Sequence, residues 1–205
     1  MERTNPPKRK SQKGKRFTSN YIDYDVAMTK GTKLLQEGKR PVIGLYIIIA
    51  VNLGLRVSDI LSLTHADIFN LSIGEHIDVT NKKTKKVSHI IINKKVKDAH
   101  DYYLKQYYKG NMFELDIPIF TSQKGTVYAT ESLNTILKEV FKGKAKHIST
   151  HSLRKSFGRH VYETNGESEK ALVWLSQIFM HASMKTTMIY LGITQEELDD
   201  VFMNL

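Results

Sequence analysis

The chain has 205 residues, of which 40% are apolar, and a formal net charge of +10 at pH 7. It is long enough for one domain with a substantial core, and its longest apolar run, around residues 45–51, is too short to span a membrane. The lack of cysteine excludes disulfides and thiolate metal sites. Because no apolar leader stands near the amino terminus either, we expect a cytoplasmic protein.

The first segment of the chain, residues 1–16, is strongly basic. It carries seven lysines and arginines and one glutamate, a net charge of +6 that leaves +4 for the remainder. Because this segment has no apolar face to bury, we expect a disordered arm. Its charge favours a nucleic-acid partner, with a merely solubilising surface as the alternative. The arm residues expected to contact nucleic acid are Lys8, Arg9, Lys10, Lys13, Lys15 and Arg16.

Apolar periodicity and turn residues predict a mainly helical domain over residues 17–205 with one small antiparallel β-hairpin or a three-stranded sheet. Pro41 suits the first turn of the second helix, which is apolar on almost every side and should be central core. Thr130 is expected to cap a later helix. In chain order, the predicted helices span residues 17–38, 41–52, 57–63, 93–108, 130–141, 151–164, 168–178, 183–191 and 194–204, with strands at 75–80 and 87–92 and a short extended piece at 117–120.

Six side chains suited to metal-free phosphoryl chemistry follow one another along this frame. Arginine forks match two phosphate oxygens at once, a tyrosine hydroxyl can attack phosphorus and hold a strand end, and a lysine can protonate an alkoxide leaving group. Taken singly, each has an ordinary alternative, such as a surface arginine, a solvated lysine turn or a core tyrosine. The sequence has no spacing typical of a metal site. The six are Arg56, Lys83, His151, Arg154, His181 and Tyr190.

These residues lie in five segments that together resemble the tyrosine recombinase (phage integrase) family. Residues 53–63 look like its first arginine box, 83–92 like its hairpin lysine, and 151–154 like its second box. Residues 179–181 fall where the family has Leu-Gly-His, with Met180 in place of the glycine, and 186–190 look like the nucleophile segment. The resemblance implies the family's catalytic-domain fold and site-specific DNA strand exchange.

The resemblance also implies a role for each residue. Arg56 and Arg154 would clamp the scissile phosphate, and Tyr190 would attack it to leave a 3′-phosphotyrosine. His181 would donate to a phosphate oxygen, whereas His151 would either handle the tyrosine proton or bind a phosphate oxygen. Lys83 would be the general acid that protonates the 5′-oxygen, with Lys85 and Lys86 as alternatives. Lys82, Lys85 and Lys86 would contact the DNA backbone. Asp59 would support the active site from behind the arginines. Neither a metal nor ATP nor another cofactor is expected.

The expected partners are double-stranded DNA, further copies of the chain as a tetramer on two paired sites, and accessory DNA-bending proteins. Residues 194–205, with a capping box and one apolar stripe, would dock on a neighbouring copy. A separate DNA-clamping domain is not visible, so the chain resembles the reduced layout of fimbrial phase-switch recombinases or is part of a longer protein. Two other functions stay open: a type IB topoisomerase-like nicking-closing enzyme and a non-catalytic DNA-binding protein, the latter with residues 168–191 as a helix-turn-helix.

Overall fold

The computed structural model describes residues 18–80, 87–109 and 114–193. This part of the chain is mainly helical with one small antiparallel sheet, which confirms the predicted fold class. The basic arm, the lysine-rich hairpin turn and the predicted last helix lie outside the described residues. The elements are α1 Tyr24–Gln36, α2 Pro41–Leu53, α3 Val57–Ile60, α4 His65–Phe69, β1 His76–Thr80, β2 Val87–Ile91, α5 Lys94–Tyr107, α6 Thr130–Val140, α7 Thr150–Thr164, α8 Glu169–Phe179 and α9 Met184–Leu191.

Helix α2 is the centre of the main core, as its all-round apolar sequence predicts. Pro41 opens it, and its side chains from Ile43 onward are buried except for that of Asn52. It packs against α1, α5 and α7. The approach to α1 is close because a Cβ atom at Gly44 would lie 2.5 Å from the backbone nitrogen of Leu35. The helix therefore holds three neighbours in fixed positions, and its carboxyl end leads directly into the segment that carries Arg56.

A second apolar cluster joins α7, α8 and α9. Its buried members include Leu175, Phe179 and Leu191. Helix α7 packs closely on α9, since a Cβ atom at Gly158 would lie 2.5 Å from Cδ2 of Leu191. Because α7 contacts α2 on one side and both α8 and α9 on the other, it connects the two apolar clusters. The residues at the amino end of α7 thus lie where the main core meets the α8–α9 pair.

Three local predictions were wrong. The first helix begins at Tyr24 and not near residue 17, because the Asp23 side chain accepts from the Val26 amide and starts the helix there. Thr130 is the first residue of α6 and not its cap; Ala129 holds the cap position. Helix α4 was missed, although Thr64 and Asp67 form a capping box at its start.

The sequence predicts a short extended piece at residues 117–120 and leaves a three-stranded sheet open. In the described part of the chain the sheet has two strands, with Thr80 paired to Val87 at the open end of the hairpin. Pro118 instead makes one isolated bridge to Thr64. This segment ties the chain back to the start of α4 without extending the sheet.

Candidate functional site

Two arginines from distant parts of the chain converge on one backbone carbonyl. Arg56 directly precedes α3, and Arg154 lies in the first turn of α7. Nη2 of each guanidinium donates to the carbonyl oxygen of Phe179, at 3.2 Å in both cases. Phe179 is the last residue of α8, where unpaired carbonyls give a helix its partial negative charge. The end of α8 therefore places the two guanidiniums side by side.

Arg154 is also fixed by the end of α2. Its Nη1 donates to the carbonyl oxygen of Gly54 at 2.6 Å. Gly54 ends α2 in the left-handed conformation, with φ 59°, and a Cβ atom there would lie 2.3 Å from the ring of Phe157. Only glycine meets both conditions. The glycine in the first arginine box thus shapes the turn before Arg56 and supplies an acceptor for Arg154.

Arg154 is nearly buried, with 6% of its surface exposed, and its guanidinium lies 4.4 Å from the ring centroid of Phe179. Its pKa is lowered to about 10, chiefly by burial; Tyr190 opposes this shift, the nearby Arg56 adds to it, and Asp59 opposes it. Arg154 is still a cation at neutral pH. Asp59 is buried at 4% exposure and accepts a hydrogen bond from the Ser58 hydroxyl; its charge acts on Arg154, and its supporting role stays a prediction.

His181 follows the turn that ends α8. Its backbone N–H donates to the Ser176 carbonyl at 2.8 Å, and its Nδ1 lies 2.9 Å from the hydroxyl of the fully buried Thr187. With that hydroxyl as donor, the neutral ring carries its proton on Nε2. Burial lowers the pKa of His181, and the charges of Arg154 and Arg56 lower it further. The ring is therefore neutral at pH 7 and presents an N–H donor.

Tyr190 lies on α9 against the same helix end. Its ring meets the rings of Phe179 and His181 edge to face, with centroids 5.4 and 5.2 Å apart. Its hydroxyl is buried, with no hydrogen-bond partner among the described residues. Burial raises the pKa of this phenol; the Arg154 guanidinium, through its charge and by approaching the hydroxyl as a hydrogen-bond donor of poor geometry, and then the charge of Arg56 partly offset that rise. A buried hydroxyl without a well-formed hydrogen bond is unusual, and this one lies beside the Arg154 guanidinium.

The amino-terminal part of α7 adds two more side chains. His151 is exposed beside the Ser149 cap; partial burial of its ring lowers its pKa, and the cations of Arg154, Lys155 and Arg56 lower it further. Lys155 was not singled out from the sequence. It lies four residues after His151 and therefore on the same helix face, and its Nζ is 5.2 Å from the ring centroid of Tyr190. That spacing is the signal that could have identified it.

The sequence profile of the phage integrase family matches residues 34–197, which include all the residues just described. The chain belongs to this family. It is 30% identical over 167 residues to the probable integrase/recombinase YoeC of Bacillus subtilis, covering 80% of this chain and 83% of YoeC. It is 26% identical over 151 residues to the tyrosine recombinase XerC of Nitrobacter winogradskyi, covering 73% of this chain and 45% of XerC.

Solved structures of recombinases share the fold. The XerA recombinase superposes with a TM-score of 0.67 at 20% identity, covering 92% of this chain and 65% of XerA. The XerH site-specific recombinase, solved in a post-cleavage complex with palindromic difH substrate, gives a TM-score of 0.65 at 19% identity and covers 88% of this chain and 51% of XerH. This phage integrase family member thus spans most of YoeC but about half the length of its XerC and XerH relatives.

Several predicted site residues lie outside the described part of the chain. Residues 81–86, which follow the paired Thr80 and precede Val87, include Lys82, Lys83, Lys85 and Lys86, and the arm lysines and arginines also lie outside. Their roles stay predictions. Within the described ranges, no three His, Asp or Glu residues are grouped closely enough to hold a metal, and no helix there is both long and apolar enough to cross a membrane.

The cluster combines buried side chains, those of Arg154 and Thr187, with the half-buried side chains of Arg56, His181 and Tyr190. A cavity of about 1380 Å³ is found at the opposite end of α2, beside Pro41, Tyr107 and Lys124, and none of the cluster side chains line it. The cluster itself offers two guanidiniums, one imidazole N–H and one free hydroxyl. Such a set suits one phosphate group of an extended polymer better than an enclosed small molecule.

Proposed function

We propose that this protein is a site-specific DNA recombinase in which Tyr190 attacks a phosphodiester of double-stranded DNA. The attack forms a bond between the phenol oxygen and phosphorus and breaks the bond to the 5′-oxygen. It leaves a 3′-phosphotyrosine and a free 5′-hydroxyl. The observation that carries the proposal is the pair of guanidiniums on the Phe179 carbonyl beside a buried tyrosine hydroxyl that has no partner among the described residues.

The electrostatics of this pair suit the chemistry. In the transition state the phosphoryl oxygens carry more negative charge than in the ground state, and fixed cations stabilise them. Each guanidinium has five N–H donors, of which Arg56 uses one and Arg154 two on backbone carbonyls. Several donors therefore remain for a phosphate. The Nε2 proton of His181 would bind a further non-bridging oxygen, and His151 would take the tyrosine proton or bind the phosphate.

Departure of the 5′-oxygen needs a proton, because an alkoxide is a poor leaving group. We assign this proton to Lys83, with Lys85 and Lys86 as the alternatives on the same turn. A general acid of this kind contributes roughly 10²- to 10⁴-fold. The energy of the broken bond is kept in the phosphotyrosine, so attack by another 5′-hydroxyl reverses the step without ATP. No step requires a metal ion.

Strand exchange follows when the attacking 5′-hydroxyl belongs to a second DNA site, which produces a Holliday junction. We propose that four copies act on two paired sites, that residues 194–205 dock on a neighbouring copy, and that accessory DNA-bending proteins assist. Residues 17–205 would form the catalytic domain, and residues 1–16 would follow the DNA backbone as a basic arm in the nucleoid. The recombinase XerH bound to difH DNA supports DNA as the substrate.

The covalent intermediate provides the test. The protein is incubated with sheared genomic DNA of its source and denatured with detergent. The protein-linked strands are then captured and sequenced. We expect strand ends at one short sequence, linked to Tyr190 by mass spectrometry. The change Tyr190→Phe removes the nucleophile but keeps the ring, and it should abolish capture. If the native protein forms no adduct at any concentration that binds DNA, the proposal is wrong.

A second assay separates recombination from nicking and closing. Once captured sequences define the site, one plasmid with two copies of it is incubated with the protein. A recombinase gives inverted or excised products, whereas a topoisomerase-like enzyme only relaxes supercoils. Deleting residues 194–205 should leave cleavage of single sites intact but remove the two-site products. Unchanged two-site products from the shortened protein would show that this segment does not dock on a neighbour.

A further inference from the structure

Lys155 occupies an unusual place for a lysine. It is 6% exposed, and the ring of Tyr190 lies beneath its ammonium at 5.2 Å from the centroid. Lysine is almost never buried unless it has a partner that compensates its charge, and a methionine or leucine would fill the same space without desolvating a cation. The face of an aromatic ring attracts a cation by about 0.5–2 kcal/mol. The contact with the Tyr190 ring thus offsets part of the free-energy cost of burying the Lys155 ammonium.

We propose that Lys155 is a positioning residue for the nucleophile: its ammonium holds the ring of Tyr190 and stabilises the phenolate that develops during attack. This inference rests on the proposed function. Phe179 and His181 contact the same ring edge to face, so three side chains fix its orientation. Of the three, Lys155 is the one with a full positive charge when His181 is neutral.

The other charged groups around Tyr190 do not make Lys155 redundant. Arg154 and Arg56 lower the pKa of the phenol, but a bound phosphate shares their charge when DNA is present. The charge of Asp59 acts on Arg154 and offsets part of that positive charge. His151 and His181 are neutral because their pKa values are lowered. Lys155 lies against the ring itself, so its effect on the phenol persists in the DNA complex.

The position of Lys155 also distinguishes it from the leaving-group acid. In-line attack places the departing 5′-oxygen on the side of phosphorus opposite the phenol oxygen. A lysine packed on the ring of the nucleophile therefore lies on the attacking side. Burial lowers the pKa of Lys155, yet the ring beneath it favours the charged form. The lysines of residues 81–86 remain the candidates for the opposite side.

Ionisation of Tyr190 can be measured directly in the free protein. Tetrafluorotyrosine is incorporated in place of Tyr190, because its ring fluorines lower the phenol pKa far enough for it to ionise while Lys155 is still charged. Fluorine NMR then follows this one phenol among the ten tyrosines. We expect Lys155→Met to raise its pKa by about 1, a 10-fold change, and Lys155→Arg to leave it unchanged. Lys155→Gln is the second neutral variant should the methionine variant fold poorly. An unchanged phenol pKa in both neutral variants overturns the inference whether or not the protein cleaves DNA.

Cleavage gives the matching functional test. On nicked DNA containing the captured site, Lys155→Met should slow formation of the Tyr190 adduct about 10-fold, and Lys155→Arg should restore it. Lys170→Met is the matched control, because Lys170 makes a similar contact to Trp174 at 5.0 Å away from the site; it should cleave like wild type. A defect that disappears when sulfur replaces the 5′-bridging oxygen would assign Lys155 to the leaving group and overturn the proposal. Absence of an adduct in wild type would instead refute the proposed function.

Discussion

The replacement Met180→Gly should stabilise the protein. Both α8 and α9 end in a residue with left-handed backbone: Met180 at φ 54° and ψ 42°, and Gly192 at φ 76° and ψ 26°. Both turns close with the same two backbone bonds, and in the first of them the N–H of His181 reaches Ser176 at 2.8 Å. The helix ends differ chiefly in the side chain that must adopt this conformation, and only glycine adopts it freely.

The expected gain follows from the backbone cost. A residue with a Cβ atom in the left-handed region costs about 1–2 kcal/mol. The change removes little packing, because Met180 does not belong to the apolar cluster of α7, α8 and α9. We expect Met180→Gly to add about 1 kcal/mol, which raises Tm by about 2–4 °C in a domain of this size. The opposite change, Gly192→Ala, should cost about the same, since its Cβ atom would meet nothing within 4 Å and only the backbone term remains.

Urea unfolding and thermal melts of the two single variants and the double variant would measure these effects. The two changes lie on different helix ends, so the double variant should return close to wild type. If Met180→Gly proves destabilising while Gly192→Ala behaves as expected, the methionine side chain contributes packing that outweighs its strained backbone, and the argument is refuted. DNA cleavage by Met180→Gly should match wild type, because the hydrogen bond that positions His181 needs only the left-handed turn.

Three further effects are expected. Thr187→Val removes the hydroxyl that orients the site histidine and should slow adduct formation about 10-fold with little loss of stability, whereas Thr186→Val, an exposed neighbour, should not. Lowering the pH from 7 to 5 should reduce the free energy of unfolding. Burial lowers the pKa of His65 to about 4 and that of His100 to about 3, so below pH 6.5 the unfolded chain binds more protons than the folded protein. Each histidine should then lower the free energy of unfolding by about 2 kcal/mol at pH 5. Urea titrations at several pH values would measure this, and His100→Gln should flatten the dependence. Deleting residues 1–16 should reduce the slope of log K against log salt for duplex DNA, measured by fluorescence anisotropy, by about 0.9 for each phosphate that the arm neutralises; an unchanged slope would place the arm away from the DNA.

The order of the elements could be predicted because local sequence decides most of it. Pro41 and Gly54 bracket α2, and alternating β-branched residues mark the two strands. The errors lie at boundaries that one side chain sets: Asp23 starts α1 later than apolar periodicity suggests. The capping box that begins at Thr64 was visible in the sequence, but the helix after it is only five residues long, too short to show a period.

The order of the motifs singled out Arg56, Arg154, His181 and Tyr190, which the structure brings together, but the contacts that gather them could not be predicted. No pattern in the sequence indicates that a backbone carbonyl at the end of α8 gathers both arginines, because that contact joins residues 123 positions apart. Lys155 was missed for a related reason. A lysine next to an arginine on a helix usually faces solvent, and only the packing of α9 against α7 turns this one onto the ring of Tyr190.

In the proposed mechanism, the same packing would keep the Tyr190 nucleophile unreactive until DNA binds. An unperturbed tyrosine with a pKa of about 10 already costs roughly 4 kcal/mol to ionise at pH 7, and burial raises the pKa of Tyr190 further. The free protein therefore keeps this hydroxyl protonated despite three cations around it. A bound phosphate accepts the remaining guanidinium N–H groups and presents phosphorus to the buried oxygen at the same time. Loss of the proton then accompanies attack, so the reactive phenolate forms where a phosphate is present to receive it.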